Sequence, residues 1–172
     1  MRPEENKAYS VLLNLERKES DEIAKQRFLA LFPCAVRNGR LSQDLLEEVV
    51  RSKDKVGLGC ALVVGYRFGF DPSNAEVLYR LIDEDWHVSH ENIVSALQRW
   101  GIPESAPALY RATQWIPTSL RFDEGRPLAV RAMWALWKLR TEEARGMLEK
   151  LQHSEEEILR ETATMLLNKT PK

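Results

Sequence analysis

The sequence predicts an all-α fold, a stack of about five antiparallel helical hairpins forming one domain over residues 1–172, and three observations predict it. Apolar residues recur at three- and four-residue intervals almost throughout, the period of an amphipathic helix. Alternating β-branched runs, which mark strands, are missing. The pattern also repeats: Leu13, Leu46, Leu78, Leu109 and Leu148 are 33, 32, 31 and 39 residues apart, and the pairs Ala30-Leu31, Ala61-Leu62, Ala96-Leu97 and Ala135-Leu136 are 31, 35 and 39 apart. A helical hairpin cannot bury its own apolar face, so repetition at this period implies stacking of neighbouring hairpins.

Helix breakers place the elements in order. Glu19-Ser20-Asp21 separates a helix over Asn6 to Arg17 from one over Ser20 to Ala35, and Asn38-Gly39 closes the second. Ser52-Lys53-Asp54 divides Ser42 to Arg51 from Lys55 to Phe68, and Asp71-Pro72-Ser73 opens Ser73 to Asp83. His90 to Trp100 runs to Gly101-Ile102-Pro103, and Ser105 to Ile116 runs to Pro117. Beyond the Gly125 to Pro127 break follow Pro127 to Arg140, Glu142 to Leu151 and Glu155 to Asn168.

Composition excludes several function classes. With 44% apolar and 30% charged residues the chain is of ordinary globular type. Lys+Arg 25 offset Asp+Glu 26, and neither half carries the basic excess that binding a phosphate backbone requires, so nucleic acid is not an expected partner. The charged N-terminus lacks the apolar stretch of a signal peptide, and the longest apolar run, Gly57 to Gly65, is too short to span a bilayer. A cytoplasmic protein that meets no membrane is expected. Cys34 and Cys60 lack metal-ligand spacing and read as buried free thiols. No phosphate loop or nucleophile elbow is visible.

The segments "LAVRAMWALWKLRTEEA", Leu128 to Ala144, and "HSEEEILRETATMLL", His153 to Leu167, resemble HEAT repeats, and the likeness extends from Val77 to Leu167. The resemblance implies an α-solenoid of HEAT type that serves as a binding scaffold.

The densest chemistry lies in "DEDWHVSHENI", Asp83 to Ile93. Repeat phasing makes Glu84 to Ser89 the turn of the third hairpin and Ile116 to Arg126 the turn of the fourth. Trp86 and His87 are then expected beside Phe122, Asp123 and Glu124 on one edge. His87 and His90 with nearby carboxylates are a combination that can hold zinc or iron. "HENIVSALQRWG" also resembles one His-Glu pair of the deoxyhypusine hydroxylases, HEAT-repeat enzymes with a di-iron centre. The equivalent positions, "GRPLAVR" and "SEEEILRE", lack the pair. Neither metal, cofactor nor catalytic residue is therefore expected. His90 also fits a structural role on the apolar side of its helix, with Ile93, Val94 and Leu97, and Asp85 suits a side chain that locks the turn.

On "PLAVRAMWALWKL" the apolar arc takes Leu128, Ala129, Ala132, Met133, Leu136 and Leu139, which leaves Arg131, Trp134 and Lys138 on the opposite face with Trp134 exposed. Their repeat equivalents are Asn92, Ser95 and Arg99. Trp100, Trp115 and Trp137 point toward the apolar side and are expected in the core.

"EDWHVSHENIVSALQ" followed by "LRFDEGRPLAVRAMWAL" resembles a group of short bacterial HEAT-like solenoids encoded beside polymorphic toxins of the Rhs type. That resemblance implies a non-enzymatic immunity protein, a monomer that binds a cognate toxin domain one to one. The expected partner surface comprises Asp83, Glu84, Asp85, Trp86, His87, Glu91, Asn92, Ser95, Arg99, Phe122, Asp123, Glu124, Arg131, Trp134 and Lys138. The acids would neutralise a basic cleft, and Trp86 and Trp134 would act as anchors. A HEAT-like metal-dependent enzyme or lyase, or a housekeeping interaction scaffold, are the competing readings.

Overall fold

The structure, a computed structural model, describes residues 20–31, 40–122 and 126–169. Among the described residues there are nine α-helices and no strand: α1 Asp21–Leu31, α2 Arg40–Ser52, α3 Lys55–Phe68, α4 Asn74–Leu81, α5 His90–Trp100, α6 Ala106–Arg111, α7 Pro127–Leu139, α8 Glu142–Leu151 and α9 Glu157–Asn168. Short 3₁₀ turns lie at Pro103–Ser105 and Thr118–Leu120. The fold is all-α, as the three-to-four-residue periodicity requires. The expected helix over residues 6–17, Leu13 and Cys34 lie outside the described residues.

Helices α3, α5 and α8 have the predicted boundaries, and α2, α4, α7 and α9 agree to within two residues. Helix α1 starts one residue after the expected Ser20, and its expected end at Ala35 lies outside the described residues; helix α6 ends five residues before the expected Ile116. Its carbonyls are diverted: Tyr110 O accepts from both the Thr113 N–H (3.0 Å) and the Thr113 hydroxyl (2.7 Å), and Thr113 O accepts from Arg126. Pro117 then holds Ile116 away from helical backbone.

The chain divides into two compact units, Met1–Val77 and Leu78–Lys172, with the boundary inside α4. In the first unit α2 packs on α3. Phe28, Leu41, Cys60 and Val64 form a buried cluster, with Phe28 stacked on Phe68 at 5.3 Å. Asp54 caps α3 by accepting the N–H groups of Val56 (3.0 Å) and Gly57 (2.9 Å), which satisfies two orphan donors of its first turn. Gly65 is required by packing, because a Cβ there would lie 2.1 Å from the Phe70 ring. The Cys60 thiol is buried, as expected, and burial raises its pKa.

In the second unit α5 packs on α7, α7 on α9 and α6 on α8, while α6–α7, α7–α8 and α8–α9 are sequential neighbours in contact. Leu128, Ala129, Ala132, Met133 and Leu136 of α7 are buried as the sequence predicts, among Ile93, Leu97, Leu109, Leu148 and Leu166. Leu139 is only half-buried. Trp100, Trp115 and Trp137 also differ from expectation, since each is half-buried rather than in the core. Small and aliphatic side chains fill the interior, and the indoles lie across its margin.

Candidate functional site

The segment Ile82 to Ser89 links α4 to α5, and it is built around two histidines that point inward. His87 and His90 are each 1% exposed. His87 Nε2–H donates to the Leu81 carbonyl (2.8 Å) and its Nδ1 accepts the Ser89 N–H (3.2 Å), so both ring nitrogens are engaged and the neutral tautomer is defined. His90 Nε2–H donates to the Glu84 carbonyl at 2.9 Å, and its buried Nδ1 has no hydrogen-bond partner. Four rings run in series: Trp86 meets His87 edge-on at 5.0 Å, His87 lies 4.2 Å from His90, and His90 meets Trp115 edge-on at 5.7 Å.

Burial, and secondarily the neighbouring His90, pushes the His87 pKa down to about 4. Burial likewise lowers that of His90, opposed by its bond to Glu84 and the charge of Asp85. Both imidazoles are neutral at pH 7. The expectation that His87 belongs to a partner surface is therefore corrected: burial and its two backbone bonds make it part of the frame.

The neighbouring acids are tied down as well. Asp85 Oδ1 accepts the Thr118 N–H at 2.8 Å and its Oδ2 accepts the Thr118 hydroxyl. Those two bonds, with help from the charge of Arg121, hold the Asp85 carboxyl below the usual carboxylate range. Through Thr118 the turn before α5 is fastened to the segment that leads into α7, so the two turns do lie side by side. Asp83 accepts from Arg111 Nε through both oxygens (3.1 and 2.9 Å), and Arg111 Nη2 also donates to the Tyr79 carbonyl at 3.2 Å. Glu84 is exposed, and Asp123 and Glu124 lie outside the described residues.

Outward, this edge exposes apolar side chains beside charged ones such as Glu84 and Arg121. Phe122 is 81% exposed, Val88 63% and Ile116 36%, with Trp86 half-buried between frame and surface. A second group of the predicted residues lies across α5 and α7. Arg131 donates to Ser95 Oγ (3.1 Å) and pairs with Glu91 (3.5 Å), while Asn92, Arg99 and Lys138 are exposed. Trp134 is half-buried rather than exposed, set edge-on to Trp137 at 5.9 Å beneath the Lys169 ammonium, which is 4.4 Å from its ring centroid.

Sequence reasoning missed Thr118, Trp115, Arg111 and Arg126, all of which hold the edge. Arg126 Nη1 pairs with Glu156 at 2.8 and 2.9 Å, its Nη2 donates to the Thr113 carbonyl, and its side chain is only 9% exposed. A signal for these partners exists. Arg111–Asp83, Thr118–Asp85, Arg126–Glu156 and Arg131–Ser95 join residues 28, 33, 30 and 36 apart, about one repeat. Scanning for complementary polar residues at that period would have proposed them.

Among the described residues no group of three or more His, Cys, Asp or Glu side chains is placed to hold a metal ion. None of their helices is long and apolar enough to cross a membrane. No protein-family model, curated protein or solved structure matches the chain.

Proposed function

We propose that the chain is a protein-binding helical stack of HEAT type, and specifically a non-enzymatic immunity protein that neutralises a cognate bacterial toxin by covering its active site. The stacking of hairpins rests on the one-repeat polar bonds and on the pairing of α5 with α7, α7 with α9 and α6 with α8. The observation that carries the binding reading is Phe122, exposed together with Val88 on an edge stiffened by internal rings and carboxylate bonds. Apolar side chains on a rigid edge lose little entropy on docking, which suits them as anchors. Glu84 supplies rim charge, and Glu91, Ser95 and Arg131 extend the surface along α5 and α7.

Pull-down with the product of the adjacent gene tests the partner, followed by titration of variants. Phe122→Ala should weaken a one-to-one complex by about 2 kcal/mol, as loss of an apolar anchor does, without unfolding the free protein. Glu84→Lys should slow association, more strongly at low salt. A complex indifferent to Phe122→Ala, Val88→Ala and Glu84→Lys would exclude this edge from binding.

A further inference from the structure

A groove of about 420 Å³ lies at the end of the second unit away from the histidines in sequence, where α7 ends, α8 begins and α9 ends. Its floor is Leu136, Leu148 and Leu166, all buried, and Trp137 forms one wall. Arg140, Arg145 and Lys169 line it as well, against a single lining acid, Glu142. The volume is in the range of small-molecule sites, about 300–1,000 Å³, and toward its lower end.

Local chemistry positions these cations. Lys169 follows α9, and its ammonium is held over the indoles of Trp134 (4.4 Å) and Trp137 (5.7 Å), a contact that orders a long side chain at the groove. Arg145 gives Nε to Glu149 (3.0 Å), and its side chain remains 59% exposed. Arg140 ends α7 with φ +55°, a left-handed conformation that glycine adopts at lower cost, yet an arginine stands there. Helix α8 starts at the groove through Thr141 and Glu142 while α7 and α9 end there, so the positive charge of the rim comes from the three side chains and not from the helix dipoles.

We propose that this groove binds a small amphipathic anion, an apolar body carrying one carboxylate or phosphate. The three leucines and Trp137 would take the body, and Arg145 and Lys169, with Arg140, the anionic end. A guanidinium presents paired N–H donors that match a carboxylate or phosphate. An organic cation would meet a net positive rim, and a purely polar anion would leave the apolar floor uncovered.

Sodium octanoate is a suitable probe, with octyl phosphate, octanol and octylammonium as comparators, all used below their aggregation concentrations. The readout is the indole N–H resonance of Trp137 in a two-dimensional NMR spectrum of the full chain, assigned with Trp137→Phe. Octanoate should shift it saturably with a Kd on the order of 1 mM. Octanol and octylammonium should bind at least about tenfold more weakly, and Arg145→Gln and Lys169→Gln should each raise the octanoate Kd by roughly three- to tenfold. Stronger binding of octyl phosphate than of octanoate would assign the head group as phosphate, and the reverse order as carboxylate. Absence of a saturable shift overturns the proposal. So does equal binding of octanol, or an octanoate Kd unchanged in both variants.

Discussion

The edge formed by the two turns and the groove at the ends of α7 and α9 use the same kinds of residue, tryptophans beside charges, in opposite ways. At the edge, Trp86, His87, His90 and Trp115 form a series of rings, and Asp83 and Asp85 are bonded to Arg111 and Thr118. The density of functional groups there is used to hold the chain together. At the groove, Trp137 borders empty volume and the cations converge from α8 and from the residues that follow α7 and α9. At the edge the polar groups bond to one another across the two turns, whereas Arg145, which bonds Glu149, and Lys169, which lies over Trp134, also border open volume. Motif density in sequence therefore points to a frame here as readily as to a site.

Acidification should break the contrast most strongly. His87 titrates at an ordinary 6.5 when unfolded and at about 4 when folded. Above pH 6.5 both states are neutral at this group and it adds no pH dependence. As pH falls from 6.5 toward 4 the unfolded chain takes up the proton first, so stability is lost, by roughly 3 kcal/mol at pH 4. His90, lowered in the same direction, adds to the loss. Denaturant unfolding between pH 8 and 4 measures this, and His87→Phe should flatten the profile. A flat profile in the parent protein would mean that the imidazoles are not held neutral by burial.

Arg126→Ala should destabilise at neutral pH by roughly 2–3 kcal/mol, because it strips the Thr113 carbonyl and Glu156 of a largely buried partner. Chemical denaturation is the measurement. A change below about half a kcal/mol, the usual range for exposed positions, would show that water replaces the guanidinium.

Asp85→Asn should lower the melting temperature only modestly. The Asp85 pKa is depressed in the folded state, so its contribution is present above the unfolded value and disappears as pH falls through the lower folded one. The difference between Asp85→Asn and the parent should accordingly vanish in strong acid. A difference that persists there would assign the effect to side-chain shape rather than charge. At the groove the smallest change is expected: Arg145→Gln, at a position 59% exposed, should leave stability within about half a kcal/mol. A larger loss would transfer that residue from recognition to structure and weaken the comparison.

Trp134 shows why the site was only partly legible. Helical geometry correctly removes it from the α7 core arc, but no intrahelical rule announces that Lys169, 35 residues later, covers it. His87 fails for a related reason. It sits in a turn of acids and reads as exposed, yet the carbonyl that buries it, Leu81, lies in the last turn of α4 and has no side-chain signature. Asp85 was open to both a locking and a binding role, and only the position of Thr118 separates them.

The sequence alone determined the helical class, most helix limits and the buried arc of α7, because these follow from i, i+3 and i+4 spacing and from breakers within a few residues of each other. Tertiary structure decided which charges are already matched, which rings face inward, and where space is left open. Those outcomes depend on pairs about one repeat apart and on volumes enclosed by three helices, quantities that no local window of residues contains.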